Sequence, residues 1–276
     1  MPLIYDLHCH TTFSDGMLSP EDLVTRAKTR NVDVLAVTDH DTVAGLQQAA
    51  LAASYASIDL VTGIEFSSQW MGRGIHIVGL NIDLQSGDLA AAVRSQHERR
   101  SERAEAIAAR LAKAGIEGAL DGAQAAAGSE TLGRPHFARF LVESGYVANI
   151  NQAFKKYLGA GKPGDIKNLW PEVPEVVEWI KRSGGVAVLA HPTKYKMTRT
   201  KLCQLTDCFA ASGGAAIEVI SGKQIAGVAD NLARIANQFG LAVSLGSDFH
   251  VPDQPWQELG CCGYLPSHMS PVWELW

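Results

Sequence analysis

The stretch LIYDLHCH, residues 3–10, decides the fold. A short apolar and aromatic run ends on two histidines, the pattern of a strand that delivers polar groups at its end. Residues i and i+2 of a strand share a face, so His8 and His10 aim to one side and Cys9 points away into packing. Six more such runs follow, near residues 34–38, 60–65, 75–81, 186–191, 216–220 and 242–247. Helical patterns lie between most of them. Ser19-Pro20-Glu21-Asp22 opens one, with Ser as N-cap, Pro at the first helical position and acids in the first turn. Residues 224–239 form another, stopped by Gly240. Alternation of this kind predicts an α/β fold with a parallel sheet closed into a barrel.

The rhythm breaks between residues 85 and 167. That stretch reads as helix over 88–114, 134–144 and 151–158, and as an Ala- and Gly-rich loop over 115–133. The chain is therefore divided into a barrel of residues 1–84 plus 168–276 and a helical insertion, 85–167, expected to cover the site. Residues 85–170 carry twelve Lys and Arg against nine Asp and Glu, whereas the whole chain has a formal net charge of -5. Arg99, Arg100 and Arg103 are read as coating a solvated helix, partnered by Glu98, Glu102 and Glu105 at spacings of three and four.

With 276 residues, 46% hydrophobic and 19% charged, the chain supports a barrel-sized core and excludes a disordered segment of that length. The negative balance argues against binding a DNA duplex. No signal peptide and no apolar run long enough for a bilayer is visible. Five cysteines, two of them adjacent and none in a CxxC pair, imply neither a disulfide framework nor a cysteine zinc site. A cytoplasmic protein with no membrane and no obligate protein partner is expected.

Strand ends carry the chemistry. Asp248-Phe249-His250 repeats the two-residue device of His8 and His10. His40 (LAVTDH), Glu65 (VTGIEF) and His191 (AVLAHP) stand where strand gives way to loop, the face on which α/β barrels build their sites. Asp15 sits in a loop that can swing a carboxylate inward. His76 begins its strand rather than ending it, so either that strand runs antiparallel or the site reaches down to it. Imidazoles and carboxylates converging in this way suit zinc, manganese or iron. Several bound divalent ions would make the centre cationic, attract an anionic substrate and lower the pKa of a bound water. That chemistry fits phosphate ester hydrolysis, and equally a carbon–nitrogen bond.

In order, DLHCHTTFSDG, VTDHDT, GIEFS, the histidine of GIHIVGL, LAHP and GSDFH resemble the motifs of the PHP (polymerase and histidinol phosphatase) family. The resemblance implies a distorted (β/α)7 barrel holding two or three divalent metals, manganese first, with zinc or iron as alternatives. By motif, it puts one metal on His8, His10, Glu65 and Asp248. Glu65 would bridge to a second, held also by His76 and His191, and Asp15, His40 and His250 would hold the third. The attacking metal-bound hydroxide would be held by Glu65, His191 and Asp248.

Motif spacing and GRPHFAR (residues 133–139) are most similar to bacterial phosphatases of nucleoside 3′,5′-bisphosphates. This implies release of the 3′-phosphate from adenosine 3′,5′-bisphosphate, with trimming of short RNA from its 5′ end as a secondary activity. A histidinol-phosphate phosphatase and a non-catalytic metal-binding regulatory module are the rival readings. Arg134 and His136, at a helix start, are expected to hold substrate phosphate, with Lys167 as a further contact. Lys162 and Lys194 are weaker phosphate candidates, and Trp170 and Tyr195 either stack on a base or pack. Asp41 either orients a ligand or caps a helix, Glu218 either lines the site or pairs with a lysine, and the C-terminal SPVWELW either anchors an interface or lies on its own barrel.

Overall fold

Each of the seven apolar runs forms a strand: β1 (Tyr5–Asp6), β2 (Val34–Val37), β3 (Asp59–Trp70), β4 (Arg73–Leu80), β5 (Val186–Leu189), β6 (Ala216–Ser221) and β7 (Ala242–Gly246). The computed structural model describes residues 2–128, 132–167, 169–265 and 267–276. The strands lie side by side in chain order. The Leu7 N–H donates to Leu245 O at 3.2 Å and Cys9 bridges to Phe249, so β1 meets β7 and the sheet nearly closes into a distorted barrel. Gly246 permits this approach, because a Cβ there would lie 2.3 Å from the Cβ of His8.

One strand departs from the expected parallel order: β4 runs antiparallel to both β3 and β5. The cause is local. Trp70 pairs with Arg73, leaving only Met71 and Gly72 as the link, both at positive φ (49° and 69°). Two such residues make a hairpin turn, whereas a parallel crossover needs a dozen or more.

On the barrel's outside, α1 (Pro20–Thr29) starts at Ser19, whose side chain accepts from Asp22 N as its sequence foretold. The next helix is α2 (Leu46–Ala56). Between β4 and β5 come α3 (Gly87–Lys113), α4 (Ala119–Ala127), α5 (Arg134–Glu143) and α6 (Ile150–Ala153), the last continued by a wide turn over Phe154–Leu158. Then follow α7 (Val173–Arg182), α8 (Arg199–Ala211) and α9 (Val228–Gln238). None of the helices among the described residues is long and apolar enough to cross a membrane. The C-terminal segment lies on its own barrel: Val272 is buried and Trp273 stacks on Tyr5 with ring centroids 3.8 Å apart.

Two expectations for the helical stretch need correction. Much of the expected loop over 115–133 is the helix α4. Its alanines are strong helix formers, and Ala119 and Ala123 share a core with Phe137 and Leu141 of α5. Residues 129–131 lie outside the described residues. Nor do Arg100 and Arg103 of α3 coat a solvated face, being only 9% and 8% exposed, whereas Arg99 is half-buried and pairs with Glu175. The first half of α3 packs Leu89 and Ala92 into the barrel core, while its second half packs Ala104, Ile107 and Leu111 against α4 and α5. Arg100 and Arg103 fall between these halves and turn towards the barrel mouth, where they line a cavity with Asp15, His40 and His76.

Asp41 ties α3 to the barrel. Its carboxylate accepts from Ser67 N (2.7 Å), Gln96 Nε2 (2.8 Å) and Arg100 Nε (2.7 Å), all buried. Removing one partner of a buried charge pair strands the other. Asp41→Ala is therefore expected to lower stability by about 3–5 kcal/mol in urea unfolding. A change within about 0.5 kcal/mol, the range of ordinary surface substitutions, would show that this network does not hold the two parts together.

Candidate metal centre

The backbone ladder at the barrel seam brings the first and last motifs together. His10 N donates to Phe249 O at 2.9 Å, and Asp248 N donates to His8 O at 2.8 Å. His8 and His10 thereby face Asp248, with His10 Nε2 and His8 Nε2 at 3.4 and 3.6 Å from its Oδ1. Cys9 points the other way and donates its S–H to Ala36 O at 3.0 Å. The reversed β4 carries His76 to the same end as Glu65 on β3, Nδ1 to Oε1 3.0 Å. This settles the puzzle of a histidine at the wrong end of its strand.

Glu65 is fully buried at the centre. Besides His76, it faces His8 (3.4 Å), His10 (3.3 Å), His40 (3.0 Å) and His191 (2.9 Å). Asp15 lies 3.2 Å from His250 and 3.7 Å from His40. All nine residues read from the sequence thus converge. Among the described residues, four sets have donor atoms close enough to share an ion: His8, His10 and Asp248; His8, Glu65 and His191; His40, Glu65 and His76; and His10, Asp15, His40 and His250. The third set puts His40 beside Glu65 as well as beside Asp15, and the fourth adds His10 to the expected trio.

These groups fit divalent cations. His8 Nε2, His10 Nε2, His40 Nδ1, Asp15 Oδ1 and Glu65 Oε2 are buried and make no hydrogen bond. Buried polar atoms are seldom left so, and five lone-pair bearers orphaned in one cluster are the donor set of a hard or borderline metal. The charges around them express the same tension. Burial alone would raise the Glu65 pKa, yet the histidines around it hold it well below the usual carboxylate range. Burial, with His250 and His40 adding to it, pushes His10 well below the imidazole range. Burial opposes a charge on His8 too, but Glu218 and Glu65 hold its pKa up at about 10.

Supporting groups fix the donors. Glu218 on β6 accepts from His191 N at 2.6 Å and lies 3.0 Å from His8 Nδ1. A proton on that Nδ1 leaves the Nε2 lone pair facing the centre. Tyr195, one of the two candidate base-stacking residues, packs instead: its hydroxyl donates to Ala190 O at 2.7 Å and receives His76 N–H at 3.0 Å. Asp39, which was not singled out from the sequence although it precedes His40, shapes the loop bearing Asp15 by accepting from Thr11 N (2.7 Å) and Ser14 Oγ (2.6 Å). Asp6 likewise accepts from Ser247 N (2.8 Å) and Gly260 N (2.9 Å), pinning the β7 loop, and burial pushes its pKa up to about 6.

Above the donors, a cavity of about 200 Å³ is lined by Asp15, His40 and His76 together with Arg100, Arg103 and Arg134. Arg134 also donates to Leu158 O at 3.3 Å. Burial, reinforced by Arg134 and Arg100, depresses the Arg103 pKa to about 9. His136 does not reach this cavity: it is buried in the start of α5, and its Nδ1 accepts from Gly133 N at 3.0 Å. Lys167 is exposed, 3.7 Å from Asp165, in a neighbouring cleft.

Glu218→Gln tests the supporting shell. An amide nitrogen facing His8 Nδ1 would favour the tautomer with its proton on Nε2. Manganese titration is expected to show affinity reduced by roughly 10–100-fold, with an unchanged circular dichroism spectrum. Wild-type affinity in the variant would remove this role.

Residues 6–97 match the PHP domain family model. The chain is 47% identical over 270 residues to a 5′-3′ exoribonuclease of Haemophilus influenzae, covering 98% of each. It is 42% identical to a 3′,5′-nucleoside bisphosphate phosphatase of Chromobacterium violaceum, covering 98% of this chain and 95% of the relative. A solved structure of an amidohydrolase from Chromobacterium violaceum, with bound sulfate and no metal, superposes with a TM-score of 0.89 at 42% identity, over 99% of this chain and 95% of that one. With similarity of this extent, the chain belongs to the PHP family.

Proposed function

We propose that this protein is a divalent-metal-dependent hydrolase of phosphate esters that removes the 3′-phosphate of nucleoside 3′,5′-bisphosphates, acting in the cytoplasm. The observation that carries this reading is the wall of arginines in the cavity that the metal donors also line. Arg100 is neutralised by Asp41. Buried Arg103 and half-buried Arg134 form no ion pair among the described residues, and Asp165 acts on both only from beyond ion-pair distance. Buried cations without counter-charge are costly, and an anionic substrate bearing a second phosphate supplies that charge. Histidinol phosphate, with one phosphate and an ammonium, matches this wall poorly.

His8, His10, Asp15, His40, Glu65, His76, His191, Asp248 and His250 are the proposed ligands, with manganese the first candidate and zinc or iron the alternatives. Bound divalent ions would supply charge neutralisation for the phosphoryl oxygens and acidify a water. Glu65, His191 and Asp248 would orient the attacking water, and Arg103 and Arg134 would clamp the 5′-phosphate. Water oxygen adds to phosphorus, the P–O3′ bond breaks, and the departing 3′-oxygen takes a proton. The helices of residues 85–167 would act as a cap on the barrel formed by 1–84 and 168–276, with α3 shared between the two. A second reading, 5′-to-3′ trimming of short RNA, breaks the same P–O3′ bond with further chain attached to phosphorus, and the relative of that activity supports it.

With manganese, adenosine 3′,5′-bisphosphate is expected to yield phosphate and AMP far faster than histidinol phosphate yields phosphate, and chelation should abolish turnover. Arg103→Ala should raise KM for the bisphosphate by roughly tenfold or more, the worth of one charge-assisted hydrogen bond. Preferred turnover of histidinol phosphate, or an unchanged KM, would overturn the assignment.

A further inference from the structure

A second, larger cavity of about 690 Å³ adjoins the one over the metal donors, and the two share Arg103, Arg134 and Trp170. Lys194 lines this cleft, and its Nζ lies against the Asp248 carboxylate of the donor cluster. Arg73, on the β3–β4 hairpin, and Lys167 line the same cleft. Among its lining residues five are cationic and one, Asp165, is anionic. Asp165 is already engaged by Gly161 N at 2.7 Å and by Lys167. Arg103 is more than nine-tenths buried, and its Nε has no hydrogen-bond partner among the described residues.

The bond broken says what such a cleft is for. In a bisphosphate, the phosphoryl group over the metal donors carries nothing beyond phosphorus. In a 5′-phosphorylated oligonucleotide the same phosphorus carries the rest of the strand. That strand must leave the cluster by a route other than the small cavity, which the first nucleotide fills. The cleft that Lys194 lines is such a route. We propose that it is the track for the 3′-ward continuation of a short single strand, whose backbone phosphates are held by Lys194, Arg73 and Lys167. The track rests on the reading of the small cavity given above and extends it from mononucleotides to oligonucleotides. Contacts of this kind engage phosphate rather than base, so they confer affinity without sequence preference.

Arg73 and Lys167 are exposed and lie outside the metal cluster, so the double variant Arg73→Ala/Lys167→Ala can be tested in the folded, manganese-loaded protein. Steady-state kinetics are measured on adenosine 3′,5′-bisphosphate and on a 5′-phosphorylated five-nucleotide RNA over a range of salt. For the RNA, KM is expected to rise roughly tenfold and its logarithmic salt slope to fall by about 1.4, some 0.7 for each lost phosphate contact, while the bisphosphate KM stays within about twofold. Arg73→Glu/Lys167→Glu should deepen the RNA defect alone. An unchanged RNA KM and salt slope, or an equal loss on both substrates, would overturn the track. Wild-type protein that hydrolyses neither substrate would instead sink the parent reading.

Discussion

A single buried carboxylate organises this molecule. Glu65 has no exposure to water and faces five imidazoles within 3.4 Å. Its neighbours come from the end of β1, the loop after β2, the reversed β4 and the turn after β5. Each of those elements must stop at the right height for its donor to arrive. Burying so many polar groups is unfavourable unless something satisfies them. The barrel is thus built around a requirement for positive charge, and cations are expected to contribute to its stability as well as to its chemistry.

The same requirement accounts for local backbone cost. His191, Asp41 and Asp248 all adopt positive φ (27°, 55° and 54°). For residues with a Cβ such conformations cost of order 1–3 kcal/mol each and persist where surrounding structure over-determines them. Here the surroundings do so. Glu218 holds His191 N, the β1 end holds Asp248 N, and three donors converge on the Asp41 carboxylate. Three of the nine positive-φ residues with a Cβ among the described residues thus carry or support the cluster, where placement matters most.

Much of this was legible in the sequence because strand periodicity and strand-end chemistry are local signals. The seven apolar runs became the seven strands, and the donors named from their ends all converge. What was illegible depended on distance. His76 looked misplaced until β4 was seen reversed, although the signal was present in Trp70-Met71-Gly72-Arg73, where a glycine in a two-residue link marks a hairpin. Arg100 and Arg103 resembled a solvated stripe because spacings of three and four describe a helix face without saying what it meets. Their true surroundings were set by Asp41, which precedes Arg100 by 59 residues. His136 failed for a simpler reason: a histidine three residues into a helix can cap its own N-terminus, and this one does.

A division of labour between the barrel ends and the helices between β4 and β5 follows from these distances. The barrel ends supply the donors, and nothing in that arrangement distinguishes one phosphate ester from another. Selectivity must come from what stands opposite. Asp41 is the neighbour of His40 in the chain, yet its carboxylate holds Gln96 and Arg100 of α3. The loop that places a metal donor therefore also places the helix that carries Arg103 over the cavity. On the proposed function, the positions of the far phosphate and of the reacting phosphorus would be coupled through this one buried side chain. A shift of α3 relative to the barrel would change reach between the two, and with it the nucleotide that fits, without altering any donor.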